Sequence, residues 1–269
     1  MKDIAIVTGA TSGVGREFVR QLDAGAGGPL DEIWVVARST DRLDRIVANG
    51  TVPTRAFALD LCDPASFDAL SAALAQEGED LCVQWLVNSA GFGKFGDLAS
   101  ISRASNADMV RLNCLAVLEM CYLALPYMAS GSRIINMASV AAFIPQPYLS
   151  VYSATKRFVL DFTRGLDAEL REVGIHATAV CPKFMDTGFL DNPGNEEVAG
   201  AMLSVGFEDV SRCVSRALRA ALFGSNLCIT SFDMRVAYVA TKVLPYEACI
   251  ALERSAMRDS LAGAVAANA

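Results

Sequence analysis

The chain has 269 residues, 53% apolar and 20% charged, with a net charge of −7. So much apolar material supports a large core and excludes a disordered chain, while the acidic balance, without a basic stripe, excludes a nucleic-acid surface. The eight cysteines sit mostly inside apolar segments, form no C-x-x-C pair and have one histidine, His176, for company, so reduced buried thiols in a cytoplasmic protein are expected, with no metal site. No signal-peptide pattern precedes the first apolar run, and no uninterrupted apolar run of ~18 residues suggests a membrane span.

Ile4-Ala5-Ile6-Val7 reads as a strand buried on both faces. It feeds Thr8-Gly9-Ala10-Thr11-Ser12-Gly13-Val14-Gly15 and then a helical stretch through about Leu22. Strand, glycine turn and helix in that order make a phosphate-binding loop. The glycines permit a tight turn and close backbone approach, and the helix N-terminus presents amides to a pyrophosphate. Ile33-Trp34-Val35-Val36 is the second strand. An NAD site would place an acid at its end, some ~20 residues past the glycines. Ala37 and Arg38 stand there instead, and Asp31 and Glu32 lie ~13 Å away at the opposite sheet edge. A guanidinium suits a 2′-phosphate, so NADP(H) is the expected cofactor.

Arg55 to Leu59 is a third strand, followed by Asp60, Leu61 and a helix opened at Asp63-Pro64. Trp85-Leu86-Val87 is a fourth, ending in Asn88-Ser89-Ala90-Gly91. A long helix from about Asn106 to Leu125 carries Asn113, with Pro126 at its end. Arg133 to Met137 is the fifth strand, Ser139 lies just past it, and Val151 to Val173 is helical. His176 to Cys181 is the sixth strand, ending at Pro182. Residues 183–207 mix Gly, Pro and acids and read as an irregular excursion with short helices. A helix from about Asp209 to Phe223 leads to a seventh strand, Leu227 to Thr230, and the remainder reads as helix with a break near Pro245.

Strands and helices alternate without linker or repeat. The expectation is therefore an α/β fold, a Rossmann-type doubly wound parallel sheet in a single domain spanning residues 1–269. Ligands then belong at the carboxyl ends of the strands, where the glycine loop, Arg38, Asn88, Ser139 and Pro182 all fall. Tyr152 and Lys156, four residues apart, share one helical face. A free tyrosine titrates near ~10, too high for efficient proton transfer at neutral pH, and an adjacent ammonium favours the phenolate.

With these residues in place, the chain resembles the short-chain dehydrogenase/reductase family over nearly its whole length. Thr8-Gly9-x-x-x-Gly13-x-Gly15 matches the cofactor loop of its single-domain members, and Asn88-Ser89-Ala90-Gly91 its Asn-Asn-Ala-Gly with the second position changed. Asn113, Ser139, Tyr152 and Lys156 match its catalytic tetrad in order and approximate spacing, and Pro182 and Thr187 the segment that embraces the nicotinamide. The resemblance implies that Tyr152 gives or takes a proton at the substrate oxygen, and that Lys156 lowers its pKa and holds the nicotinamide ribose. Ser139 would polarise the carbonyl. Asn113 would hold water in a relay to Lys156, and the nicotinamide would carry the hydride. It further implies cofactor contacts from Gly9, Thr11, Ser12, Gly13, Val14, Gly15, Arg38, Asp60, Leu61, Asn88, Ala90 and Gly91, with Tyr152, Lys156, Pro182 and Thr187. Lys183 departs from the family, which has glycine there. Its side chain is expected to point to solvent; the alternative is that it meets an anionic substrate group.

The expected activity is NADP(H)-dependent interconversion of a ketone and a secondary alcohol. Ala141 to Pro145, Phe184-Met185 and Phe189-Leu190, with Phe92 and Phe95, form apolar stretches suited to a steroid- or lipid-like small molecule. A 3-oxoacyl thioester is the alternative substrate, and a non-catalytic NADPH-binding regulator the alternative class. The helix around Leu112 to Leu125 is apolar nearly all round, and Phe158, Val159 and Phe162 add apolar surface, so a homodimer or homotetramer is expected. In a helical C-terminal extension of about 234–257, Met234, Ala237, Tyr238 and Thr241 share a face; Cys249, Leu252 and Ala256 share another, with Ile250 and Met257 beside them. This extension packs on the body or a partner or, alternatively, walls the substrate mouth opposite the 183–207 loop.

Overall fold

A computed structural model of the chain describes residues 1–185, 206–251 and 254–255. Strands β1 (Lys2–Thr8), β2 (Glu32–Ala37), β3 (Thr54–Ala58), β4 (Leu81–Asn88), β5 (Arg133–Met137), β6 (His176–Cys181) and β7 (Leu227–Ile229) form one sheet, ordered β3-β2-β1-β4-β5-β6-β7. Every pairing is parallel. The helices are α1 (Gly13–Asp23), α2 (Thr40–Asn49), α3 (Ala65–Glu77), α4 (Arg103–Val110), α5 (Ala116–Ala124), α6 (Ser150–Leu170), α7 (Val210–Leu222) and α8 (Phe232–Val243). The expected single doubly wound α/β domain is what the described residues form.

Alternation within the strands sorts the core into two layers. Ile4, Ile6, Trp34 and Val36 face Leu70, Met120 and Leu166 of α3, α5 and α6. Ala5, Val7, Ile33 and Val35 face Phe18, Leu43 and Val214 of α1, α2 and α7. Burial on both faces is why these strands read as unbroken apolar runs. β4 is longer than its apolar run, because Gln84 interrupts the pattern while bonding Asp3 at 3.2 Å.

The expected helix over 106–125 departs in form. It begins earlier, where the Ser102 hydroxyl accepts from the Ser105 amide, and it opens into a π-turn at Arg111–Leu115 before α5 resumes. The run Arg103–Tyr127 is long and apolar enough to cross a bilayer. Here it is a core helix, burying Met109, Asn113, Val117, Met120 and Ala124. In the tail, Met234, Ala237, Tyr238 and Thr241 do form the half-buried face of α8. The chain bends at Pro245 into a further helical turn over 246–251. Thr187, Phe189, Leu190, Leu252, Ala256 and Met257 lie outside the described residues.

Candidate active site

The site grows from the point where sheet order reverses, between β1 and β4. Gly9 turns with φ of +66° and Gly13 with φ of +47°. A Cβ on Gly15 would stand 2.3 Å from the Gly9 carbonyl oxygen, and one on Gly9 would stand 2.9 Å from the Ala90 backbone. Glycine is thus required by close approach as well as by φ. The Thr8 hydroxyl accepts from the Ser89 and Ala90 amides at 3.1 and 3.2 Å, and the Ser89 hydroxyl donates to the Thr8 carbonyl. Ser89, where the motif departs from the family, therefore fastens the loop after β4 to the end of β1. The side chain of Ser12 makes no capping bond at the start of α1, which leaves first-turn amides open to an anion.

From this turn a cleft runs over the sheet edge, lined by Gly9, Thr11, Ser12, Ala37, Arg38, Asp60, Leu61, Ala90 and Gly91. Arg38 is exposed at its rim and has no carboxylate in ion-pair reach among the described residues. The Asp60 carboxylate accepts from the Cys62 amide at 3.0 Å and so shapes the loop after β3. Gly91 and Phe92 also line a second cleft, with Val14, Ser139, Tyr152, Lys156, Pro182 and Lys183, so the two clefts meet. Gly13 lines a neighbouring groove with Arg16 and Arg42, and Gly15 is buried against Gly9. The Asn88 carboxamide turns into the sheet, donating to Asn136 Oδ1 at 2.9 Å, and Asn136 donates in turn to Thr163 on α6 at 3.0 Å. A buried amide needs a partner, and the parallel register that sets Asn88 opposite Asn136 supplies one.

Around the reacting position, Ser139 follows β5, and its Oγ accepts from the Ala141 amide at 3.1 Å. The chain enters α6 through Tyr148, in the left-handed region at φ of +63°, whose carbonyl accepts from Gly96 at 2.9 Å. One turn apart on α6 stand Tyr152 and Lys156. Burial pushes the Tyr152 phenol up to about 12, with a hydrogen bond from Ser139 pulling the other way. Burial pulls the Lys156 ammonium down to about 8. The expected depression of Tyr152 by Lys156 is thus reversed. Lys156 Nζ donates to the Met137 carbonyl at 2.8 Å and lies 5.8 Å from the phenol ring centroid, so loss of water outweighs its attraction.

Asn113 sits fully buried on the π-turn. Its Nδ2 donates to the Phe92 carbonyl at 2.9 Å and to Thr155 Oγ1 at 3.0 Å, and its Oδ1 accepts from the Phe92 amide at 3.1 Å. Both side-chain donors are used, so the expected water relay cannot draw on them. Lys183 is a correction. Its ammonium bonds Asp233 Oδ2 on α8 at 2.6 Å, and its side chain is only 13% exposed. Phe92, Phe184 and Met185 line the second cleft as expected, Phe95 is buried outside it, and Phe207 joins them without any sequence signal.

These residues fit a dinucleotide. Glycines leave space that any Cβ would fill, open amides stand at the α1 terminus, and the exposed Arg38 guanidinium marks one end of a cleft whose other end holds Ser139, Tyr152 and Lys156. Among the described residues no cluster of His, Cys, Asp and Glu could hold a metal ion.

The family model described as short chain dehydrogenase matches residues 3–197. The very-long-chain 3-oxoacyl-CoA reductase of Homo sapiens is 31% identical over 223 residues, covering 76% of this chain and 69% of that protein. A short-chain dehydrogenase from Sphingobium yanoikuyae, solved in complex with NADPH, superposes with a TM-score of 0.75 at 25% identity, covering 90% of this chain and 92% of that one. A short chain dehydrogenase/reductase from Burkholderia phymatum, solved in complex with NAD, shares the fold with a TM-score of 0.75 at 23% identity, covering 88% and 92%.

Proposed function

The chain belongs to the short-chain dehydrogenase family, and from that premise we propose an NADP(H)-dependent reductase of hydrophobic ketones, with the 3-oxo group of an acyl thioester as its substrate. One observation carries the reading: the cleft that begins at the exposed Arg38 runs through Gly91 and Phe92 to Ser139 and Tyr152. Arg38 suits the 2′-phosphate of NADP(H), and the apolar collar of Phe92, Phe184, Met185 and Phe207 suits an aliphatic chain. The human relative's name supports the thioester over a steroid ketone.

Bound nicotinamide supplies the hydride. Ser139 and Tyr152, hydrogen-bonded to each other, take the substrate oxygen between their hydroxyls; Ser139 stabilises the growing negative charge and Tyr152 delivers the proton. A phenol at about 12 is held protonated at neutral pH, as a donor must be. Lys156, at about 8, is a nearby proton source to restore Tyr152.

NADPH consumption over a panel of 3-oxoacyl thioesters, steroid ketones and small ketones tests the proposal. The highest kcat/KM is expected for long-chain 3-oxoacyl thioesters. NADPH binding with no turnover across the panel would favour a non-catalytic regulator. Self-association is a further part of the proposal, supported by exposed Leu115, Tyr122 and Phe158 on the π-turn, α5 and α6. Light scattering at micromolar concentration should give a dimer or tetramer mass, and a monomer mass would overturn it.

A further inference from the structure

Helix α8 buries none of its residues completely, so its seat depends on a few tethers. Tyr238 meets the Phe143 ring at 4.8 Å, and Arg235 Nε donates to the Ile229 carbonyl at 2.9 Å. The third tether comes out of the reactive cleft. Lys183 lines that cleft beside Pro182, and its ammonium reaches Asp233 in the first turn of α8 at 2.6 Å.

The backbone beneath Lys183 is held separately. Glu208, whose side chain is only 7% exposed, accepts from the Lys183 amide at 3.3 Å and from the Thr230 hydroxyl at 2.6 Å. The Glu208 amide donates to the Phe184 carbonyl at 2.8 Å. The base of the lysine is thus pinned, while its ammonium reaches out to α8. Asp233, 54% exposed, is held below the usual carboxylate range by Lys183.

We propose that Lys183 and Asp233 are a positioning pair that draws the start of α8 against the mouth of the reactive cleft, making α8 the wall along which the aliphatic part of the substrate leaves the site. The inference rests on the ketone-reductase reading above and adds the residues that set its chain-length preference. A short substrate ends within the collar and does not meet this wall; a long one does.

The experiment compares kcat/KM for a long-chain and a short-chain 3-oxoacyl-CoA in the full chain and in Lys183→Met, Asp233→Asn, the double variant and the charge exchange Lys183→Asp with Asp233→Lys. Each single variant should lower the long-to-short ratio about fivefold through KM, the size expected for one partly exposed ion pair. The double variant should lose no more than either single one, and the exchange should regain most of the ratio. Additive losses, or a ratio indifferent to all four variants, would overturn the inference while leaving the reductase reading intact. A loss confined to coenzyme A esters and absent from N-acetylcysteamine thioesters of equal chain length would also overturn it, because Lys183 would then be receiving an anion. Turnover of neither chain length by the unmodified chain would overturn both readings. Should Lys183→Met fail to fold, Asp233→Asn, at an exposed position, decides the matter.

Discussion

On the nucleotide side of the cleft, Gly9, Gly15 and Ala90 meet backbone to backbone, so close that a single added carbon would collide. Behind them stand strands whose apolar residues are wholly buried. On the side of Ser139 and Tyr152, the lining is side chains: Phe92, Phe184, Met185 and Phe207, the last 41% exposed, with Lys183 moored to Asp233 of α8. The first construction binds one shape and resists change; the second can be re-lined residue by residue. Such a division lets the side-chain lining change while the backbone turn is kept.

The sharpest break falls where the two sides meet. Tyr152→Phe removes the proton donor alone, so kcat should fall by about a thousandfold or more while NADPH binding is kept. Substantial residual turnover in stopped or continuous assays would mean that another group delivers the proton. Arg38→Asp tests the rim of the nucleotide side. It trades a phosphate contact for a hydroxyl contact, and the NADPH-to-NADH ratio of kcat/KM should drop by about a hundredfold. An unchanged ratio would remove Arg38 from the assignment.

Gly15→Ala asks whether that side really is built of backbone. The added methyl meets the Gly9 carbonyl oxygen and Ser89 Oγ at 2.3 and 2.6 Å, so a loss of about 2 kcal/mol in stability is expected, with weaker NADPH binding. Unaltered melting and an unaltered NADPH titration would contradict the close packing described.

Stability should also depend on pH. Burial raises Cys114 and Cys228 to about 11, and Cys121, Cys181 and Tyr152 to about 12. The folded chain keeps these protons after the unfolded chain has released them. Their stabilisation is therefore complete below the unfolded thiol range near pH ~9 and is lost as pH rises through 11 to 12. Lys156, lowered to about 8, works in the opposite sense, since the folded chain releases its proton first and regains stability as pH rises towards the ordinary lysine range. The thiols and the phenol together outweigh one ammonium, so Tm should fall from about pH 9 upwards. A flat or rising Tm between pH 9 and 11 would contradict the burial described for these groups.

Sequence alone determined the seven-strand order of events, the glycine turn, the absence of an acid after β2, and the order of Asn113, Ser139, Tyr152 and Lys156. All of these are written in local pattern: apolar runs, glycine spacing and the four-residue step of a helix. Tertiary structure decided the partners. Asn88 turns to Asn136 because parallel register sets them opposite. Asn113 finds Phe92 through a π-turn that apolar periodicity does not mark. Phe207 reaches the cleft because Glu208 is bonded to Phe184. Lys183 meets Asp233 across 50 residues of chain. The phenol of Tyr152 titrates high, against the expectation from its neighbour, because a pKa answers to the water a group has lost as well as to the charges beside it. Burial of that kind is a property of the whole packed chain, and no short window of residues contains it.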